Sequence, residues 1–247
     1  MFMTRVDYQG RAYWAECRDD QAVLVDWNLK ELARVSRQDV FARPLLHPGK
    51  VVCVGLNYYA HAREMDMALP EEPLLFFKPG SAVIDHGQPI RLPAHSAEVH
   101  YEGELAVVIG RLCRNVPEAQ AGGYVLGYTC ANDVTARDLQ RKDGLYARAK
   151  GFDTFCPLGP GIETDIEPFA DAAIRTTVNG GEVQSGRTSD MIVSPLALVS
   201  FISRVMTLHP GDVVLTGTPP GVGRIQPGDR VCVEVEGLGS LCNPVLG

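Results

Sequence analysis

Short apolar runs, broken every few residues by Gly, Pro or Asn, dominate this chain and leave room for one long helix at most. Residues 51–54 (VVCV), 74–77 (LLFF), 105–109 (LAVVI) and 125–130 (VLGYTC) have the length and β-branched or aromatic content of buried strands. Asn179-Gly180-Gly181 separates apolar residues 174–178 from 182–184 and predicts a hairpin, because these residues tolerate the positive φ that a tight strand connection needs. Pro-Gly-Asp turns at 210–212 and 227–229 each lead into a further strand, at 213–216 and 231–235. The longest helical segment opens at Ser189-Asp190 and runs to about Met206, with Pro195 either kinking it or moving its start later. Strands that do not alternate regularly with helices argue against a doubly wound sheet. The pattern predicts an α/β fold that is β-rich and mixed, with packed sheets and few helices.

Alternating segments at 6–8, 12–16 and 22–26 predict that residues 1–45 form a small β-rich appendage, leaving 46–247 as the main body. The net charge of −7, with no basic stripe, argues against nucleic acid or an anionic membrane as partner. No apolar run is long enough to span a bilayer, and the first residues lack the apolar core of a signal peptide, so the expected address is cytoplasmic. Seven cysteines at 17, 53, 113, 130, 156, 232 and 242, without a C-x-x-C pair, suit reduced thiols better than a disulfide framework or zinc ribbon.

The chemistry concentrates in a few segments. In His100-Tyr101-Glu102-Gly103-Glu104, strand alternation places Glu102 and Glu104 on one face with His100 beside them, followed on that face by apolar Ala106 and Val108. Two carboxylates at the mouth of a buried strand repel each other and lose hydration, costs that a cation would offset; the plainer alternative is a solvated strand end. Asp133, where a strand gives way to a turn, either caps a helix or adds a third oxygen ligand for Mg2+, Mn2+ or Ca2+. His61 and Glu64, three apart on a helical turn that Asn57 is placed to cap, form either a carboxylate-held base or an ordinary surface pair. Arg137 and Lys150 supply positive charge for an anion or are solvated surface groups. Residues 216–223 (TGTPPGVG) are glycine-rich but lack the G-K-[ST] ending of a phosphate loop, leaving their amides free to grip a carboxylate.

Taken in order, VVCVGLNYYAHAREM, FFKPGSAV, HYEGELAVVIG, CANDVTARDLQ, RAKGFD, MIVSPLALVSFIS and GDVVLTGTPPGVG resemble the fumarylacetoacetate hydrolase family, especially its short acylpyruvase and oxaloacetate-decarboxylase-like members. The chain is also similar to the isomerases and decarboxylases of 2-hydroxy-dienedioates and oxo-tricarboxylates. The resemblance implies the family's β-roll architecture in a homodimer, with a metal held by Glu102, Glu104 and Asp133. It implies that His61 and Glu64 activate water from a segment that orders over the substrate, and that Lys150 contacts the substrate. Arg137, Gln140, Gly217 and Thr218 fall at pocket and carboxylate-binding positions. The implied reaction is metal-dependent cleavage of a C–C bond in a small 2-oxo acid, by acylpyruvate hydrolysis or oxaloacetate decarboxylation, through an enolate. Isomerisation and decarboxylation of intermediates in aromatic catabolism form the nearest alternative, and a non-catalytic metal- or ligand-binding relative is the alternative from another class. Tyr59, Gly151 and the short stretch between Gln140 and Lys150 depart from the acylpyruvase pattern around the pocket.

Overall fold

The computed structural model describes residues 1–165 and 171–247. Among them, one twelve-stranded sheet carries the architecture, joined by a five-stranded and a three-stranded sheet. At the centre of the large sheet, the Gly103–Ile109 strand lies between Val125–Asn132 and Val213–Leu215, with Val51–Gly55 and Leu74–Lys78 following towards one edge. Gly103–Ile109 is buried along its whole length because both faces of the sheet are covered. Leu105, Val107 and Ile109 point into one core with Ile174, Val233 and the helix residues Leu198 and Ile202, while Ala106 and Val108 point into another with Val51, Cys53 and Leu215.

The strands at the N-terminus, Phe2–Tyr8, Arg11–Cys17, Gln21–Val25 and Glu31–Ser36, form an antiparallel meander that continues the large sheet, because Met3 pairs with Ile162 of the Cys156–Glu163 strand. Val6, Ala15, Ala22, Leu24 and Val40 give that meander a small core of its own.

The hairpin forms as its turn chemistry requires, with Asn179 and Gly180 at φ of 52° and 83°. The long helix begins late, at Pro195 rather than at Asp190, and runs to Val205. Ser194 caps it by accepting from the Ala197 amide, and proline occupies the first turn, where its missing N–H costs nothing. Two sequence readings are corrected. Asn57 does not cap the Tyr59–Glu64 helix; its side-chain amide donates to the Val193 and Thr216 carbonyls and accepts from the Val193 amide, tying the turn after Gly55 to two other segments. Cys232 and Cys242 are not free thiols: they face each other across the antiparallel pair Arg230–Val235 and Gly239–Leu246 and are joined by a disulfide. Their separation of ten residues hid a cross-strand pair that register brings to a Cα–Cα distance of 4.1 Å. Among the described residues no helix is long and apolar enough to cross a membrane.

Candidate active site

The backbone changes sheets at Glu102. Val99–Tyr101 belongs to the three-stranded sheet and Gly103–Ile109 to the large one, so Glu102 sits at the junction. Its amide donates to Asn132 Oδ1 at 3.0 Å and its carbonyl accepts from the Asp133 amide at 2.8 Å, which fixes the two acidic residues against each other. The switch also moves His100 away from the carboxylate pair; its Nε2 contacts Glu98 at 3.1 Å instead. Glu104, one residue beyond Gly103, shares the Glu102 side of the strand, as alternation requires.

Glu102, Glu104 and Asp133 are all nearly fully buried, and one carboxylate oxygen from each lies within 4.8 Å of the others. Three cations surround them. Lys150 donates to Glu102 Oε2 at 2.8 Å and to Asp133 Oδ2 at 2.6 Å. Arg137 bonds the other oxygen of Glu102 and donates to Gln140 Oε1 at 2.5 Å. Lys78 donates to Asp133 Oδ1 at 2.5 Å and to the Val134 carbonyl at 3.0 Å. The Thr135 hydroxyl stands 3.1 Å from Glu102 Oε1.

This pairing separates the two glutamates electrostatically. Burial alone would raise Glu102, but the charges of Lys150 and Arg137 outweigh it and hold the carboxyl well below the usual range. Glu104 is pushed far above that range by burial and by the charges of Asp133 and Glu102, with the Gly217 amide at 2.7 Å as a hydrogen-bond donor. Burial would lower the Lys150 ammonium, yet Asp133 and Glu102 more than offset that and keep it protonated. Burial pushes the nearby Cys156 thiol up to about 12, and the three donors that come together are all carboxylates. That donor set is all oxygen and hard, which suits Mg2+, Mn2+ or Ca2+. A divalent ion among these three oxygens would relieve the repulsion that now drives Glu104 towards its neutral form, so the residues fit such an ion.

Above the carboxylates lies a cavity of about 420 Å3, lined among others by His61, Met65, Phe76, Arg141 and Tyr146 as well as by the triad. His61 is 6% exposed, and its Nδ1 is 3.0 Å from Glu64 Oε2. Glu64 Oε1 accepts in turn from the Gly221 amide at 2.9 Å. The imidazole lines the cavity, while Glu64 is exposed at its rim. Gln140 and Thr218 also line the cavity, whereas the Gly217 amide is spent on Glu104. Gly217 holds a φ of +101°, and a Cβ there would meet the Asn57 side chain at 2.8 Å. Gly151 is fixed sterically as well, since a Cβ would lie 2.4 Å from the Ala147 carbonyl oxygen.

Sequence reasoning missed Lys78, taken only as the end of a strand. Alternation along Leu74–Lys78 held the signal: Lys78 shares a face with Phe76, which lines the cavity, while Phe77 points outward and is 48% exposed. Thr135 and Gln184, both buried and both bonded into the site, carried no local signal.

Residues 50–246 match the family model described as fumarylacetoacetate (FAA) hydrolase C-terminal. Protein Rv2993c of Mycobacterium tuberculosis is 56% identical over 199 residues, covering 80% of this chain and 75% of its own. The Xenopus laevis protein named oxaloacetate tautomerase fahd2, mitochondrial, is 44% identical over 214 residues, 82% of this chain and 67% of its own. The crystal structure of 5-carboxymethyl-2-hydroxymuconate delta-isomerase from Mycobacterium smegmatis superposes with a TM-score of 0.89 at 46% identity, over 100% of this chain and 99% of that one. Fumarylpyruvate hydrolase from Pseudomonas aeruginosa, solved with Mn2+ and pyruvate, superposes with a TM-score of 0.76 at 34% identity, over 92% of each chain. Fold and site together define an enzyme with a buried carboxylate triad that fits a divalent metal. The chain belongs to the fumarylacetoacetate hydrolase family, and the reading as a non-catalytic relative falls away.

Proposed function

We propose that this enzyme, with a divalent cation held by Glu102, Glu104 and Asp133, converts a small 2-oxo acid into its enol form by proton transfer at C3. The observation that carries the reading is the His61–Glu64 pair, a base held by a carboxylate and facing the cavity that also contains the triad. When bound, a divalent cation supplies a Lewis acid that polarises the 2-oxo group and steadies negative charge on its oxygen. The protein's own groups do the rest. With Glu64 paired to His61 Nδ1, Nε2 is left to take a proton from C3 and deliver it to the C2 oxygen, so that the C–H bond broken is matched by the O–H bond of the enol. Lys150 and Arg137 keep Glu102 ionised and bring positive charge to the floor of the cavity. Phe76, with the Lys150 ammonium 5.0 Å from its ring centre, gives that floor an apolar wall.

Relatives named as a tautomerase and an isomerase stand at 44% and 46% identity, and the fumarylpyruvate hydrolase at 34%, which favours proton transfer over bond cleavage. Cleavage of a C–C bond in an acylpyruvate, or decarboxylation of oxaloacetate, is the second reading. It is favoured by the same dyad, since a base over the cavity can activate water as readily as it takes a C3 proton. Mg2+ and Mn2+ are the proposed cofactors, Mn2+ being the ion named with the Pseudomonas structure.

The test uses EDTA-treated protein with Mg2+ or Mn2+ restored. Oxaloacetate is followed at once by the decay of its enol absorbance and by coupled detection of pyruvate, and acetylpyruvate is followed by its loss. Metal-dependent interconversion of keto and enol forms without pyruvate supports the proposal. Pyruvate release or acetylpyruvate loss at a matching rate moves the assignment to cleavage. Inertness towards both substrates with metal bound overturns both readings.

A further inference from the structure

Gln184 lies on the Gly181–Arg187 hairpin strand, outside the cavity, yet it is 2% exposed and its side chain is fully engaged. Its Oε1 accepts from the Gly103 amide at 2.9 Å, and Gly103 is the residue between the two glutamate ligands. Its Nε2 donates to Thr218 Oγ1 and to the Pro219 carbonyl, both at 2.8 Å. Thr218 Oγ1 closes the circuit by donating to the Gly103 carbonyl at 2.8 Å. Both backbone polar groups of Gly103 engage this network, which fixes the backbone between the two flanking carboxylates.

The same side chain reaches the base. Pro219 is two residues from Gly221, whose amide holds Glu64, which holds His61. The loop is pressed against the hairpin at Gly221: a Cβ there would lie 2.3 Å from the Val183 carbonyl oxygen, and φ is +100°. Tyr101 fixes the far side of that residue by donating to its carbonyl at 2.8 Å. Gly103 is equally constrained, since an added Cβ would fall 2.1 Å from Thr176 Oγ1.

We propose that Gln184 is a positioning residue: it holds the ligand-bearing strand and the 217–221 loop in one register, and through that loop sets the orientation of the Glu64–His61 pair over the metal site. An aliphatic side chain in its place would fill the space but leave the Gly103 amide and the Pro219 carbonyl unpaired. The loop would then be free to shift, and a displacement of the base by about 1 Å is enough to cost on the order of 100-fold in rate. The inference rests on the proposed role of His61 and Glu64, and its test includes a readout that needs no turnover.

The full-length Mg2+-loaded protein is compared with Gln184→Met by proton NMR and by steady-state kinetics. The NMR experiment follows the downfield imidazole N–H resonance of His61, assigned by its absence in His61→Asn. Gln184→Met is expected to lose or broaden that resonance and to drop kcat tenfold or more, with KM within threefold. In a Glu64→Gln background the same substitution is expected to cost less than twofold, because the path it acts through is already cut. Gln184→Asn keeps a buried amide one methylene too short to span Gly103 and Pro219, and carries the same test if the methionine variant is recovered unfolded. An unmoved resonance, an unchanged kcat, or losses that multiply fully with those of Glu64→Gln would each overturn the proposal. Absence of turnover in the unsubstituted enzyme would sink the functional reading instead, and the resonance would still decide the role of Gln184.

Discussion

Glu104→Gln separates the two things the triad does. Its carboxylate oxygen is within 4.8 Å of those of Asp133 and Glu102. At an effective dielectric constant of about 20, two like charges at that spacing repel by about 3–4 kcal/mol. Burial and those neighbours already push Glu104 towards its neutral form, which a glutamine resembles in shape and charge. Metal-free Glu104→Gln is therefore expected to melt within about 2 °C of the parent or slightly above it. The metal-loaded state behaves in the opposite way. Removing a charged ligand costs at least the Coulomb attraction it supplied, so a loss of 3 kcal/mol or more corresponds to about 100-fold in Mn2+ affinity. Ligand at about 1,000 times Kd stabilises a folded protein by about 4 kcal/mol. For a chain of this size each kcal/mol moves Tm by about 2–4 °C, so saturating Mn2+ should raise the parent's Tm by about 8–16 °C. The variant, left at about 10 times its own Kd, should keep only about 1.4 kcal/mol of that stabilisation, a rise of about 3–6 °C. The assay is thermal unfolding by circular dichroism with EDTA and then with millimolar Mn2+. A Glu104→Gln protein that keeps the full Mn2+-induced rise would refute the assignment of Glu104 as a ligand.

Three further outcomes follow from the site and its surroundings. His61→Ala should retain the Mn2+-induced rise in Tm while losing about 100-fold or more in kcat, as expected when a general base is removed; a fall in metal affinity equal to the fall in rate would contradict the separation of base from ligands. Arg141 lines the cavity, and its acidic partner, Glu98, is outside the triad, so it is available to a second carboxylate on the substrate. Arg141→Gln should cut kcat/KM for oxaloacetate about tenfold more than for acetylpyruvate, and equal losses would remove Arg141 from substrate selection. Burial raises Asp138, but donation from Ser96 Oγ and from the Ala97 and Leu139 amides outweighs it and leaves the carboxyl below its ordinary value. A lowered carboxylate stabilises the fold above its unfolded value and loses that contribution as pH falls through the folded one. The Tm gap between parent and Asp138→Ala should thus be full at pH 7 and shrink below about pH 4; a gap independent of pH over that range would show that the charge of Asp138 contributes nothing.

Legibility differed between the fold and the site for a physical reason. Strands announce themselves through composition and period, so the runs at 51–54, 74–77, 105–109 and 125–130 all lie in observed strands. Turn residues did as well, since Asn179-Gly180 and Pro195 act through their own backbone geometry. Asn57 misled because a side chain that fits a cap fits any pair of unmatched backbone groups, and tertiary structure supplied Val193 and Thr216. Cys232 and Cys242 misled because spacing along the chain says nothing about register across a hairpin. The glutamate pair was legible because one residue of extended backbone, Gly103, separates its members. Asp133 was legible only as one of two alternatives, a cap or a third ligand, and the resemblance chose between them, because its approach to Glu102 is set by pairing between separate strands.

Gly103–Ile109 explains why a metal site can exist inside so apolar a sheet. Most of its even-numbered side chains, Ala106 and Val108, end in a dry core, and on that same face the strand presents Glu104 next. Continuing the pattern with apolar residues would fill the space and close the cavity. Substituting a lone acid would leave an unpaired buried charge, which a protein avoids by neutralising it. The chain instead places three acids against Lys78, Arg137 and Lys150, which answer the charges of Glu102 and Asp133 and leave Glu104 to ionise when a cation arrives. The arithmetic makes metal binding a matter of rearrangement rather than simple filling. With Glu104 ionised the three acids and three cations cancel, a dication leaves two surplus positive charges, and a 2-oxo acid carrying two negative charges restores neutrality. Cation and substrate should therefore bind with positive coupling, so that the apparent Kd for Mn2+ falls several-fold in the presence of oxalate, a non-reacting dianion of similar shape. Calorimetric titration of Mn2+ into the protein with and without oxalate, corrected for the free Mn2+–oxalate complex, measures that coupling, and its absence would show that charge balance does not link the two sites.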